Sequence, residues 1–425
     1  MKALFRIHQL VHTEFVWWLE RHGEREKWPG AAAARAEAPG PFDEHGRKQV
    51  RSAYLQHAIS AAGLVNSVPG GMRTLLLEAI GQYQKRLGQY GPVETTYPIA
   101  SSLSTEILGP EHPFTLMNRS RLGLVLNSQG KHKEAEEINR QTLAQYKKVL
   151  GPEHPDTLTS MSNLALVLNS QGKYKEAKVM NRQTLAQYKK VLGPEHPDTL
   201  TSMSNLVGVL NSQGKYKEAK VMNRQTLAQY KKVLGPEHPD TLTSMSNLAL
   251  VLNSQGKYKE AEAMNRHTLA LRETVLGPKD PDTLMSMNNL AGALSSQGKY
   301  DKAEAMYQQT LALREKVLGP EHIDTLTSMS NLAGILKSQE KYDKAEAIHR
   351  QTLALREKVL GHDHLDTLTS VYCLAYILAK QHHVEEPLCL YQRAYAGYDS
   401  ILGKGHPAAL VCHQHYDDLR SLQKH

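Results

Sequence analysis

The chain has 425 residues, 51 Lys and Arg against 43 Asp and Glu for a formal net charge of +8, and 40% hydrophobic content with 6% aromatic. The charge hints at acidic partners, and three cysteines (Cys373, Cys389 and Cys412) exclude a disulfide framework and point to a reducing compartment. No apolar run approaches the roughly 18 residues of a transmembrane helix, and the opening MKALFRIHQLVHTEFVWWLE is too interrupted for a secretory signal, so a soluble cytoplasmic protein with no membrane partner is expected.

Residues 1–67 stand apart as a helical N-terminal segment. Its marks are FRIHQLVH, then WWLERHGEREKW, then YLQHA at Tyr54–Ala58, with AAAARAEAPGP (Ala31–Pro41) as a flexible linker or weak helix end. Residues 68–109 are a worn copy of a unit repeated through the rest of the chain: Gly88 and Tyr90 precede Gly172 and Tyr174 by 84 residues. The stretch GPVETTYPIASSLSTEILG fits a helix, and Pro98 inside it removes a backbone donor, so a kink is expected there.

From 110 to 402 the chain repeats every 42 residues, with hinges at Leu108, Leu150, Leu192, Leu234, Leu276, Leu318, Leu360 and Leu402. In the copy Gly151–Leu192, Gly151 suits a helix C′ position and Pro152 prevents continuation. Asp156 then reads as the N-cap of a first helix. Leu158, Met161, Leu164, Ala165 and Leu168 draw an apolar stripe at spacings of three and four. Gly172 stops that helix. A second one starts near Tyr174 with Ala177, Met180, Leu185, Tyr188 and Val191 on its inner side. Neither face can be buried by one unit, so units must stack. Seven full units fill 110–402, and residues 403–425 read as a C-terminal capping helix.

Leu164, Ala165, Gly172, Tyr174 and Ala177 resemble the tetratricopeptide (TPR) pattern, and the wording LGPEHPDTL…NLA…L…QGKY.EAE resembles its kinesin-light-chain type over roughly 68–425. The resemblance implies an all-α, right-handed superhelical solenoid of stacked helix pairs. That family usually carries an aromatic where this chain has Asn139, Asn181, Asn223 and Asn265; the ring returns at Tyr307 and Tyr391, so looser packing is expected at the four Asn units. The N-terminal FRIHQLVH, WWLERHGEREKW and YLQHA resemble the stretch that joins an NB-ARC or NACHT nucleotide-binding module to TPRs in fungal-type NLR-like sensors, where an H.LV strand closes a winged-helix subdomain. An unrelated helical cap is the alternative.

Enzyme signatures are missing. No GK pair is followed by the Ser or Thr that a phosphate loop needs, the next residue being Tyr, His or, after Lys404, Gly, so no phosphate loop forms. The hinge histidines His112, His154, His196, His238 and His322 lie a whole repeat apart without a second ligand nearby, and His362–His364 reads as a surface hinge. No catalytic residue, cofactor or metal is expected.

At 100° per residue, Thr159, Ser162, Asn163, Leu166, Asn169 and Ser170 share an arc opposite the core stripe. Stacked first helices line the concave side of TPR-like solenoids, so this arc becomes a groove. One column is Asn163, Asn205, Asn247, Asn289 and Asn331, between Arg121 and Cys373; another is Asn127, Asn169, Asn211 and Asn253, changing to Ser295 and Lys337. An amide both donates and accepts, so such ladders can pair with the backbone of an extended peptide, or bond neighbouring helices instead. The units Gly151–Leu192 and Gly193–Leu234 differ only at Ala165/Val207 and Leu166/Gly208. The second difference lies in the groove column Leu124, Leu166, Gly208, Leu250, Gly292, Gly334 and Tyr376, which varies while the frame is held.

Residues 151–192 carry six Lys and Arg (Lys173, Lys175, Lys178, Arg182, Lys189, Lys190) against Glu153, Asp156 and Glu176. This basic excess lies mostly on second helices, as a solvated face or as steering for acidic partners. No aromatics interleave the lysines, which disfavours nucleic acid. The sequence therefore predicts a non-catalytic scaffold for a protein or extended peptide, the recognition array of an NLR-like sensor without its nucleotide-binding domain. A kinesin-light-chain-like cargo adaptor ranks lower, because residues 1–70 show no sustained heptads.

Overall fold

Proline starts most of the first helices and glycine stops most of the helices. The computed structural model describes residues 90–422, and all regular structure among them is helical. The N-terminal segment, with its winged-helix reading, lies outside the described residues. The chain divides between Val125 and Leu126 into two bodies.

In the first body, α1 (Tyr90–Leu108) runs through Pro98 as one helix. Tyr97 is buried beside Val125 and Leu122, and burial pushes its hydroxyl up to about 12. The helix α2 (Pro113–Ser128) is tied to α1 by Thr115 Oγ1, which donates to the Ser104 carbonyl at 2.9 Å.

The second body alternates two kinds of helix. Second helices are α3 (His132–Val149), α5 (Tyr174–Val191), α7 (Tyr216–Val233), α9 (Tyr258–Val275), α11 (Tyr300–Leu318), α13 (Tyr342–Leu360) and α15 (Glu385–Leu402). Between them lie the first helices α4 (Pro155–Ser170), α6 (Pro197–Ser212), α8 (Pro239–Ser254), α10 (Pro281–Ser296), α12 (Ile323–Ser338) and α14 (Leu365–Lys380), with α16 (Pro407–Leu422) last.

Helix α4 begins earlier than Asp156. Its N-cap is His154, whose Nδ1 accepts the Asp156 amide at 3.1 Å, with Pro155 at the first helical position. Proline there loses no hydrogen bond and its fixed φ suits a helix, so the imidazole takes the capping part expected of the carboxylate. At the other end Gly172 adopts φ +75° and the Lys173 amide donates to the Leu168 carbonyl at 2.9 Å, a Schellman stop. Two later units place Glu340 (φ 60°) and His382 (φ 66°) at this left-handed position. A side chain there costs about 1–2 kcal/mol. Glu340→Gly is therefore expected to raise the urea midpoint by the equivalent of about 1 kcal/mol; a lower midpoint would show that Glu340 supplies something the turn needs.

The stripe Leu158, Met161, Leu164, Ala165 and Leu168 is buried, together with Thr157, Ser160 and Val167. On α5, Ala177, Leu185 and Tyr188 are buried but Val191 is 40% exposed; Asn181 and Thr184 are buried in addition. The four Asn that replace a ring are buried too, so the missing aromatic leaves polar atoms to satisfy rather than an opening to solvent. Asn139 Nδ2 donates to the Ala135 carbonyl at 2.8 Å, and Asn265 Nδ2 reaches the Asn289 carbonyl of the next unit at 3.2 Å.

Successive first helices approach one another, α4 with α6, α6 with α8, α8 with α10 and α14 with α16. They therefore lie on the inside of the curve. The curve closes on itself within this body. His364 Nε2 donates to the Ser128 carbonyl at 2.8 Å; its Nδ1 already accepts the Asp366 amide, which fixes the tautomer. One unit on, a β-carbon at Gly172 would sit 3.7 Å from His406 Cδ2, just as one at Gly130 would sit 4.0 Å from His364 Cδ2. Both pairs are separated by 234 residues (364 less 130, 406 less 172), so one superhelical turn takes about 5.6 units and seats hinge on turn. His364 is buried by this contact rather than sitting on a surface hinge.

Candidate functional site: an inner groove and the cations around it

The arc chosen from the sequence lies on the first helices, whose successive members approach one another. In α4 Thr159 and Leu166 are exposed, Leu166 by 50%, while Ser162, Asn163, Asn169 and Ser170 are half-buried. Asn205 is exposed and Asn247, Asn289 and Asn331 are half-buried. Their environments differ. Asn331 Nδ2 donates to Asn288 Oδ1 at 3.1 Å, and Asn163 also has a protein partner. The side-chain amides of Asn205, Asn247 and Asn289 are the ones left to face the groove. In the other ladder, Asn127 Nδ2 donates to Ser170 Oγ at 3.2 Å, and the Oδ1 atoms of Asn169, Asn211 and Asn253 are shielded without a partner.

The variable column makes relief. Leu166 and Leu250 protrude, at 50% and 57% exposure. A β-carbon at Gly208 or Gly334 would meet nothing within 4 Å, so these are dimples. Gly292 is tighter, because a β-carbon would lie 3.4 Å from Tyr307 Oη. Tyr376 closes the series as a half-buried ring with two ammoniums over it, Lys337 Nζ at 5.1 Å and Lys380 Nζ at 5.6 Å from the centroid. Across the six arcs of α4 to α14, Lys337 and Lys380 are the charged residues, and no carboxylate pairs with either among the described residues. Beneath them His349 is pushed down to about 4, first by burial and then by Arg356 and Lys337, so it stays neutral at pH 7.

Sequence reasoning missed a buried column. Tyr146, Tyr188 and Tyr230 give way to Arg272, Arg314 and Arg356 before Tyr398 restores the ring; the switch was visible in the aligned copies. Tyr188 Oη meets Thr159 Oγ1 at 3.0 Å within its own unit. Arg272 reaches further: Nη1 donates to the Asp282 carbonyl and to Ser286 Oγ, each at 2.9 Å, and Nη2 donates to Thr243 Oγ1 at 3.2 Å. Arg314 and Arg356 repeat the Nη1 pair with Asp324 and Ser328, and with Asp366 and Ser370. Burial lowers all three below the usual arginine value, yet a guanidinium keeps its charge. Three buried cations thus stand behind the groove in its later units, which the net charge of the early units did not suggest.

The tetratricopeptide-repeat family model matches at residues 72–148, 115–190, 180–232, 202–274, 249–316, 282–358 and 324–400. The chain belongs to the tetratricopeptide-repeat family. A nucleotide-binding leucine-rich repeat (NLR)-like protein of Hyaloscypha variabilis is 43% identical over 114 residues, 26% of this chain and 12% of that relative's length. A crystal structure of Podosopora anserina putative kinesin light chain nearly identical TPR-like repeats is 30% identical, covering 48% of this chain and 97% of that one at a TM-score of 0.41. A Rap protein complexed with competence and sporulation factor is 12% identical over 82% of this chain and 98% of its own, at a TM-score of 0.48.

Proposed function

We propose that this chain is a non-catalytic scaffold that holds an extended peptide or protein segment along its inner groove, with an acidic group seated between Lys337 and Lys380 over Tyr376. The observation that carries the reading is the contrast in the groove lining: amides, hydroxyls and alternating Leu and Gly in the four arcs of α4 to α10, then the unpaired ammoniums of Lys337 on α12 and Lys380 on α14 over one ring. The amides suit a backbone of any sequence, and the lysines select for charge. The N-terminal resemblance and the partial NLR-like relative support a recognition array of the sensor type.

Fluorescent peptide libraries graded in acidity test this. Acidic members should bind best, and Lys337→Glu with Lys380→Glu should weaken them by about 10–100-fold, as loss of one or two charge-assisted hydrogen bonds requires. Equal binding of neutral and acidic peptides, unchanged in the double variant, would remove the lysines from the site.

A further inference from the structure

On the second helices, away from the groove, three junctions between neighbouring units hold a sheltered glutamate on one plan. At the first junction Glu136 lies in a recess, its side chain 15% exposed, bound by Lys173 Nζ at 2.7 Å and Arg140 Nη2 at 2.7 Å. Glu262, also 15% exposed, is bound by Lys299 at 2.9 Å, Arg266 at 2.9 Å and Gln297 Nε2 at 2.8 Å, which together hold its carboxyl down at about 2. Glu304, again 15% exposed, accepts from Lys341 at 3.0 Å. The recess is thus a carboxylate site built from a lysine of the next unit and, one helical turn on, an arginine at Glu136 and Glu262 or Gln308 at Glu304.

In the two near-identical units the carboxylate is gone and its donors remain. Lys178 and Lys220 occupy the recess with side chains 14% and 15% exposed, as sheltered as the glutamates they replace. The Lys178 ammonium faces that of Lys215, with Arg182 alongside. Glu218 is the acid of that cluster, and it stands off at 3.6 Å from Lys178 and 3.9 Å from both Arg182 and Lys215. Lys220, Lys257 and Arg224 repeat the cluster around Glu260, which lies 3.7 Å from Lys220 and 3.0 Å from Lys257. Each cluster holds three cations against one carboxylate, and mutual repulsion lowers the affinity of Lys178 and Lys220 for protons.

A sheltered ammonium facing another ammonium is a standing electrostatic cost, which an external anion in the recess would relieve. We infer that the junctions at Lys178–Arg182–Lys215 and Lys220–Arg224–Lys257 are paired binding sites for phosphate dianions. The excess of two positive charges per cluster matches a dianion better than a carboxylate, and converging lysine and arginine donors suit its several acceptor oxygens. The lysine and arginine donor set already grips an anion at Glu136 and Glu262. The inference stands independently of the groove reading, since it lies on the other helices. Its occupant is inorganic phosphate or the phosphorylated side chain of a partner.

The test compares the wild-type chain with Lys178→Glu/Lys220→Glu, which restores the residue the recess accepts elsewhere and so is expected to fold. Melting is followed in inorganic phosphate, acetate and chloride at matched ionic strength. Phosphate should raise the wild-type midpoint saturably by about 2–4 °C above acetate. The double variant should start higher and respond to no anion. A phosphoserine peptide that binds more tightly than inorganic phosphate assigns the sites to a phosphorylated partner, and equal affinity assigns them to free phosphate. A wild-type chain that responds alike to phosphate and acetate, or a double variant that responds as the wild type does, overturns the proposal.

Discussion

Arg272→Ala is expected to lower stability by about 3–4 kcal/mol, through a large side-chain deletion and two acceptors left dry. Arg272 is 1% exposed and spans three helices, with partners at Thr243, Ser286 and the Asp282 carbonyl. Arg272→Tyr should cost about 1 kcal/mol or less, because the same position carries Tyr230 two helices earlier, where Oη meets Thr201 Oγ1 at 3.3 Å, and Thr243 stands ready in the same relation to residue 272. A ring of similar volume removes a buried charge while filling the cavity, a trade that is often neutral or better. Urea midpoints at constant slope measure both changes. Equal losses for Ala and Tyr would mean that the guanidinium itself, and not filled volume with one hydrogen bond, holds this junction.

The second large effect concerns binding. If a peptide backbone pairs with the inner amides, replacing Asn205, Asn247 and Asn289 together by Ala should weaken it on the order of 30-fold or more, at about 0.5–1.5 kcal/mol for each lost bond. Folding should change little, because these three side chains lie on the inner arc and not in the core of Leu200, Leu242 and Leu284. The control is Lys189→Ala with Lys190→Ala. Both lysines are exposed on α5, and Lys190 pairs with Glu153 at 2.5 Å. That variant should mainly flatten the salt dependence of association. A normal affinity in the Asn triple variant beside a failed lysine variant would move the recognition surface to the second helices.

How far the sequence could be read depended on the range of the interaction. Period, helix order and core stripe were legible because each arises within a few residues: positive φ at Gly151 and Gly172, and apolar spacing of three and four from Leu158 to Leu168. The proposed inner arc came from the same helical geometry, and in the structure Leu166 and Asn205 are exposed and Tyr376 is half-buried. Capping went astray by two residues because an imidazole can accept an amide as a carboxylate does, and Pro155 had already started the helix. Val191 was assigned inward by periodicity, yet it is 40% exposed.

The build of one unit is therefore written in its own residues, since identical neighbours impose identical local choices. The effects of units on each other arise only once they are stacked. Stacking bonds Arg272 across the junction to Ser286, brings two lysines from different helices over Tyr376, and turns Lys178 towards Lys215 where other units hold a glutamate. It also carries His364 to Ser128. That last contact depends on the small rotation between adjacent units summed over more than five of them, a quantity set by packing at every junction and written in no single repeat.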